Sequence, residues 1–150
     1  MRRVVQIVGW GLCAFAYTSG YALAQPATCQ RADFETVVDL AAETLRDLNQ
    51  KNTSVFQGKL RQLKDKRGWT HDQFLKEGAP LVSDDKITAY NEQSEDLLAR
   101  INGAGASGGQ SAKPDCKVLA ALRANMQALV DAQTAKWAYM FGKVEIELGR

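Results

Sequence analysis

Few side chains of the 150-residue sequence stand in a pattern typical of catalysis. His71 is the only histidine, and general-base catalysis needs a second group that orients the imidazole, so we interpret His71 as an exposed or capping residue. Asp39, Glu43 and Asp47 recur every four residues on one helix face, whereas glycoside hydrolysis needs carboxylates on opposed walls of a cleft. The sequence therefore favours a non-catalytic protein and predicts no catalytic residue, metal site or cofactor.

The first 24 residues predict export. Two arginines near the start precede an apolar stretch that ends in YALA at residues 21–24, the pattern that signal peptidase reads. Glycines and polar residues interrupt this stretch, which makes an uncleaved membrane anchor the weaker alternative. We expect a Sec-type signal peptide over residues 1–24, cleavage after Ala24, and a periplasmic or secreted mature chain with no membrane span.

Export also indicates the state of the cysteines. Cys13 leaves with the signal peptide, so Cys29 and Cys116 alone reach an oxidising compartment, where two cysteines most often form a structural disulfide. Two free buried thiols are the alternative. The bridge would close a loop of about 87 residues, and the chain-entropy model gives roughly 4 to 5 kcal/mol for such a loop.

The charge of the mature chain limits the class of partner. Without Arg2 and Arg3, basic and acidic side chains are equal in number. A neutral chain has no strong electrostatic attraction to nucleic acid or to an anionic membrane. We therefore expect no nucleic-acid partner.

Apolar residues at steps of three and four predict an all-α domain over residues 25–150. A helix over 32–66 is either continuous, which we favour, or broken near Asn52 and restarted with Thr53 or Ser54 as a cap. The capping box in THDQF predicts a short helix over 71–77. Ser83 is expected to cap a third helix that ends at Asn102 and Gly103, followed by a flexible linker over 102–114 and a helix over 116–148.

These lengths predict an elongated up-down-up bundle with one short capping helix. The long helices of about 35 and 33 residues reach roughly 50 Å, and the descending helix of about 18 residues roughly 27 Å. Both cysteines then lie at the same end, which supports the bridge.

The descending helix would leave the upper halves of the long helices to be covered by residues 67–83. Incomplete cover would leave a binding groove or a homodimer face, whereas core packing is the simpler alternative. The candidate groove residues are Trp69, Phe74, Trp137, Tyr139 and Phe141, of which Tyr139 fits the core stripe worst.

A basic run, KLRQLKDKR at residues 59–67, is a candidate for contact with an anion. The alternative is that these side chains match the negative end of the helix dipole and keep the surface soluble. The candidate anion contacts are Lys59, Arg61, Lys64 and Arg67.

Two resemblances point to the cell envelope. WTHDQ at residues 69–73 resembles the leucine-threonine-x-x-glutamine motif of small periplasmic chaperones related to Spy, with tryptophan in place of the leucine. RADFETVVDLAAETLRDLNQKN with KLRQLKDKRGW, and QTAKWAYMF, are similar to small secreted bacterial proteins, some of them labelled β-glucan biosynthesis accessories. The second resemblance implies an envelope polysaccharide as the setting and assigns no role to a residue.

The sequence therefore favours a periplasmic binding or accessory protein whose partner is an envelope protein or glycan. A Spy-like chaperone is one alternative, and it needs an exposed concave apolar face. A small secreted all-α enzyme of chorismate-mutase type is another, and it needs charged side chains that point inward from facing helices.

Overall fold

The computed structural model describes residues 29–109 and 113–150. In these ranges the chain forms four helices and no strand: α1 (Arg31–Arg67), α2 (His71–Val82), α3 (Asp85–Gly109) and α4 (Cys116–Gly149). The predicted all-α bundle with one disulfide, Cys29–Cys116, is confirmed. No described helix is both long and apolar enough to cross a membrane. The predicted signal peptide and its cleavage site lie outside the described residues.

Helix α1 is continuous across the polar segment around Asn52, as we favoured. Phe56, one turn beyond that segment, is buried, so packing on both sides of the segment keeps it helical. The helix ends at Gly68, whose φ of 61° is left-handed. Glycine adopts this conformation without the steric cost that a Cβ brings.

Helix α2 extends beyond its predicted end, and the cap of α3 is corrected. The prediction placed residues 71–77 in α2, but the helix continues to Val82 with Pro80 inside it. Proline removes one hydrogen bond from a helix, and burial of Leu81 against the core compensates for it. Ser83 ends α2, while the Asp84 carboxylate accepts the hydrogen bond from the Ile87 amide at 2.8 Å and caps α3.

Helix α3 also continues past its predicted end. Asn102 and Gly103 do not stop it, and residues 102–109 of the expected flexible linker are helical. Ala104 packs against the core, and the Ser107 hydroxyl donates to the Gly103 carbonyl at 2.9 Å. Residues 110–112 lie outside the described ranges.

Helix α4 lies between α1 and α3, which contact each other far less than each contacts α4. Helices α1 and α4 run parallel, because contacting residues stay between 80 and 88 positions apart along the whole pair: 87 at the disulfide, 88 at the Asn49–Trp137 hydrogen bond and 80 at the Arg67–Glu147 ion pair. Separations between α3 and α4 instead rise from 39 at Ser94–Gln133 to 45 at Asn91–Lys136, as in an antiparallel pair. The up-down-up order is therefore present.

The core consists of two clusters along α4. The lower cluster, at the disulfide end, includes Leu97, Leu122 and Leu129. The upper cluster includes Phe56, Leu63 and Val144. Helix α3 starts beside Lys143, near the carboxyl end of α4, so it covers much of the upper half that we expected it to leave open.

Candidate functional site

A groove lies between α2 and the last turns of α4, and we call it the upper groove. Its volume is about 380 Å³. The left-handed turn at Gly68 directs the chain from α1 into Trp69. The capping box then starts α2, with the Thr70 amide 2.9 Å from the Gln73 side-chain oxygen. The lining residues are Trp69, Glu77, Pro80, Leu81, Lys143, Ile146 and Glu147.

Two of the three charged side chains that line the upper groove, Lys143 and Glu147, are held by their neighbours. Lys143 forms an ion pair with Asp84 and donates to the Pro80 carbonyl. Glu147 accepts from Arg67 at 3.1 Å and from Arg150 at 2.7 Å. A carboxylate has about four lone-pair positions, so Glu147 retains capacity to accept from a ligand.

Asp84, Tyr139 and Lys143 form a polar cluster beside the groove, which we call the corner cluster. The Tyr139 hydroxyl donates to the Asp84 carboxylate at 2.9 Å. The pKa of Asp84 is lowered from 3.8 to about 2, chiefly by the hydrogen bond from Lys143, with further contributions from the Ile87 amide and Tyr139. The hydrogen bond to Asp84 raises the pKa of Tyr139. Asp84 therefore stays charged while it joins the start of α3 to α4.

The five predicted groove residues do not line one groove, although four of them pack against the upper cluster: Trp69, Trp137, Tyr139 and Phe141. Trp69 alone among them lines the upper groove. Trp137 and Phe141 pack edge-on against Phe56, with ring centroids 5.8 and 5.4 Å from it. Tyr139, the expected surface residue, is half-buried in the corner cluster, with the Lys86 ammonium 4.4 Å from its ring centroid. Phe74 is half-buried on α2, with the Lys64 ammonium 5.8 Å from its ring centroid.

The basic run mainly joins α1 to α4. Lys59 forms an ion pair with Glu145, and Arg67 forms one with Glu147. Arg61 is exposed. Two of the four candidate anion contacts are thus engaged within the protein, at the end of the helix pair opposite the disulfide.

His71 is exposed as the first residue of α2. Sequence reasoning missed the contribution of Glu77, Pro80, Lys143, Ile146 and Glu147 to the upper groove. The sequence carries a weak signal for the α4 side of the groove. Near the end of this helix, steps of three and one separate Lys143, Ile146 and Glu147, and these residues lie off the apolar stripe.

The alternative functions have different structural requirements. A chorismate-mutase-type site needs buried charges, and Ser94 is the buried polar side chain in the described part of the chain. A chaperone of Spy type needs one concave apolar face, whereas the exposed large apolar residues are distributed over all four helices. Within residues 29–109 and 113–150, no three His, Cys, Asp or Glu side chains are placed to hold a metal ion.

A second groove, which we call the lateral groove, runs between the lower halves of α1 and α4. Its volume is about 350 Å³. Leu40 on its rim is 64% exposed. The lining is mainly aliphatic: Val37, Leu40, Ala41, Thr44, Arg123, Met126, Gln127 and Val130.

Comparison with known proteins finds no family model that matches the chain, no similar curated protein and no similar solved structure.

Proposed function

We propose that the chain is an exported, non-catalytic binding protein of the bacterial cell envelope, and that its upper groove binds a β-linked glucan chain. The observation that carries this proposal is the position of Trp69 beside three charged side chains, Glu77, Lys143 and Glu147, in one groove.

The chemistry of the upper groove suits a sugar. An aromatic ring offers an apolar face to the C–H groups of a pyranose. Carboxylates accept hydrogen bonds from hydroxyl groups, and an ammonium group donates to them. Recognition sites commonly combine an apolar wall with a few fixed polar groups, and the contacts of Lys143 and Glu147 to Asp84 and Arg67 fix these two.

The charge of the upper groove favours a neutral ligand. Two carboxylates, Glu77 and Glu147, line it with one ammonium group, Lys143. Arg67 and Arg150 pair with Glu147, and Asp84 pairs with Lys143. The charges around the groove therefore balance, and an anionic ligand gains no net attraction. A neutral glucan therefore fits the groove better than a phosphate or an acidic glycan, and Arg67, one of the predicted anion contacts of α1, holds Glu147 in place.

The setting in the envelope is supported by the sequence of residues 1–24 and by the bridge between Cys29 and Cys116. Structural disulfides persist in oxidising compartments such as the periplasm. The resemblance to secreted proteins labelled β-glucan biosynthesis accessories points in the same direction.

Tryptophan fluorescence tests the proposal. After removal of residues 1–24, the chain retains Trp69 and Trp137. Trp137→Phe leaves Trp69 as the sole indole, and Trp69→Phe leaves Trp137. We expect β-linked glucose oligomers to change the emission of the Trp137→Phe variant saturably, while α-linked oligomers of equal length have less effect.

The Trp69→Phe variant is the matched control. Its remaining indole donates to Asn49 and packs on Phe56, away from the upper groove. An equal response from this variant, or no response from either variant, would contradict glucan binding at Trp69.

A further inference from the structure

We propose that one exposed face of α1 is a self-association surface, on which a second copy of the chain packs its own α1 in the antiparallel direction. The surface, which we call the α1 stripe, is made of Leu40, Thr44, Asp47, Lys51 and Val55. This inference goes beyond the proposed function and uses a different face of the molecule.

The α1 stripe is a single face of one helix. Its members follow one another at steps of four, three, four and four, which keeps them aligned on an α-helix. All five are exposed, Leu40 to 64% and Val55 to 48%. Leu40 and Val55 thus flank a polar centre of Thr44, Asp47 and Lys51.

Charge is divided along α1. Residues 31–50 contain five acidic and two basic side chains, and residues 51–67 contain six basic and one acidic. The helix dipole favours such charges only within the first and last turns. It therefore does not explain Asp47 and Lys51, which lie in the middle of the 37-residue helix.

Part of this charge forms no ion pair within the described ranges of the chain. Lys59 and Arg67 pair with residues of α4. The other six charged residues between positions 39 and 61 form no ion pair with any residue of the described ranges: Asp39, Glu43, Arg46, Asp47, Lys51 and Arg61. They are available to a second molecule.

A second copy is the partner that this charge pattern fits. With a two-fold axis midway between residues 47 and 51, Asp47 of each copy faces Lys51 of the other. An antiparallel pair thus aligns the acidic half of one α1 with the basic half of the other, whereas a parallel pair aligns like charges. A two-fold interface requires such a self-complementary surface.

The same axis gives Gly58 a role. It places Leu40 of one copy against Val55 and Gly58 of the other. An added Cβ at Gly58 would meet no atom within 4 Å, and glycine weakens a helix relative to alanine, so packing within one chain gives no reason for it. Close approach of a second helix is a common reason for glycine.

Analytical ultracentrifugation of the oxidised mature chain over a range of concentrations and salt tests the surface. We expect a monomer–dimer equilibrium that weakens as salt rises. Asp47→Lys and Lys51→Asp should each weaken dimerisation about tenfold, because each replaces two attractions with two repulsions. An equimolar mixture of these two variants should form a heterodimer, and the double variant should dimerise like the wild type.

Two further variants separate the surface from general effects. Glu92→Lys makes the same change of charge on exposed α3 and should leave dimerisation unchanged. Gly58→Leu adds a large side chain at a position that is open to solvent in the monomer. It should block the dimer, while the monomer keeps its helical circular dichroism. A chain that stays monomeric up to millimolar concentration, or a dimer that is insensitive to Asp47→Lys and Gly58→Leu, would overturn the proposal.

Discussion

Cys29 and Cys116 lie with their Cα atoms 5.4 Å apart at the amino ends of α1 and α4. At the other end of the same parallel pair, Arg67 binds the Glu147 carboxylate at 3.1 Å. The two long helices are therefore joined at both ends, covalently at one and by an ion pair at the other. The upper groove lies beside the second junction.

The bridge should account for much of the stability of the fold. Replacing both cysteines with alanine is expected to lower the free energy of unfolding by about 4 kcal/mol, because the unfolded chain regains the freedom of a long loop. Urea unfolding followed by circular dichroism measures this, and the reduced wild type should behave like the variant. A loss below about 1 kcal/mol would contradict a structural role for the bridge.

The corner cluster should make stability depend on pH in the acid range. The pKa of Asp84 falls from 3.8 to about 2 on folding, so its stabilising effect is complete above the unfolded value and is lost as pH falls from about 4 to about 2. We expect Asp84→Asn to lower the melting temperature near neutral pH and to come close to the wild type at pH 2 and below, where Asp84 of the folded protein becomes protonated. A difference that is equal at both pH values would show that the charge of Asp84 does not stabilise the fold.

Gly58 within α1 and Gly68 at the end of this helix should respond to alanine with opposite signs. Gly68→Ala forces a Cβ into a left-handed turn with a φ of 61°, which is expected to cost about 1 kcal/mol. Gly58→Ala fills open space in a regular helix and should stabilise the monomer by up to about 1 kcal/mol. Thermal unfolding at a concentration that keeps the chain monomeric measures both, and a change of the same sign in both variants would contradict the assigned conformations.

Export can be tested on the full chain with a carboxyl-terminal tag. We expect the protein in the fraction released by osmotic shock, with Gln25 as its first residue. Arg2→Glu together with Arg3→Glu should reduce processing, since the positive start of a signal peptide assists export. Amino-terminal sequencing reads the outcome, and recovery of an unprocessed wild type from the cytoplasm would refute the predicted signal peptide.

The long helices could be predicted from the sequence because their core residues recur over many turns. Phe34 and Ala41 of α1, and Leu122 and Leu129 of α4, recur at steps of seven and are buried. The capping box at Thr70 starts α2, and Gly68 ends α1. Both are local signals whose effect does not depend on tertiary packing. The disulfide between Cys29 and Cys116 was expected from export. The up-down-up order supported this expectation, since it brings the starts of the first and last helices together.

The ends of α2 and α3 could not be predicted because packing outweighs local preference there. Pro80 is a helix breaker in isolation, but the neighbouring Leu81 is buried. The glycine-rich segment after Asn102 is helical because Ala104 packs on the lower cluster. Tyr139 lies off the apolar stripe but is half-buried, because its hydroxyl group donates to Asp84 at the start of α3. Local patterns do not report such contacts between distant segments.

Isothermal titration calorimetry with a β-linked glucose oligomer tests the central claim most directly. The wild type and Trp137→Phe should bind the oligomer with similar affinity. Trp69→Ala should lose at least about 1 kcal/mol of binding free energy, because an aromatic contact contributes about this much in addition to the area that it buries. Unchanged affinity of a folded Trp69→Ala variant, or no binding by the wild type, would contradict the assignment of the upper groove.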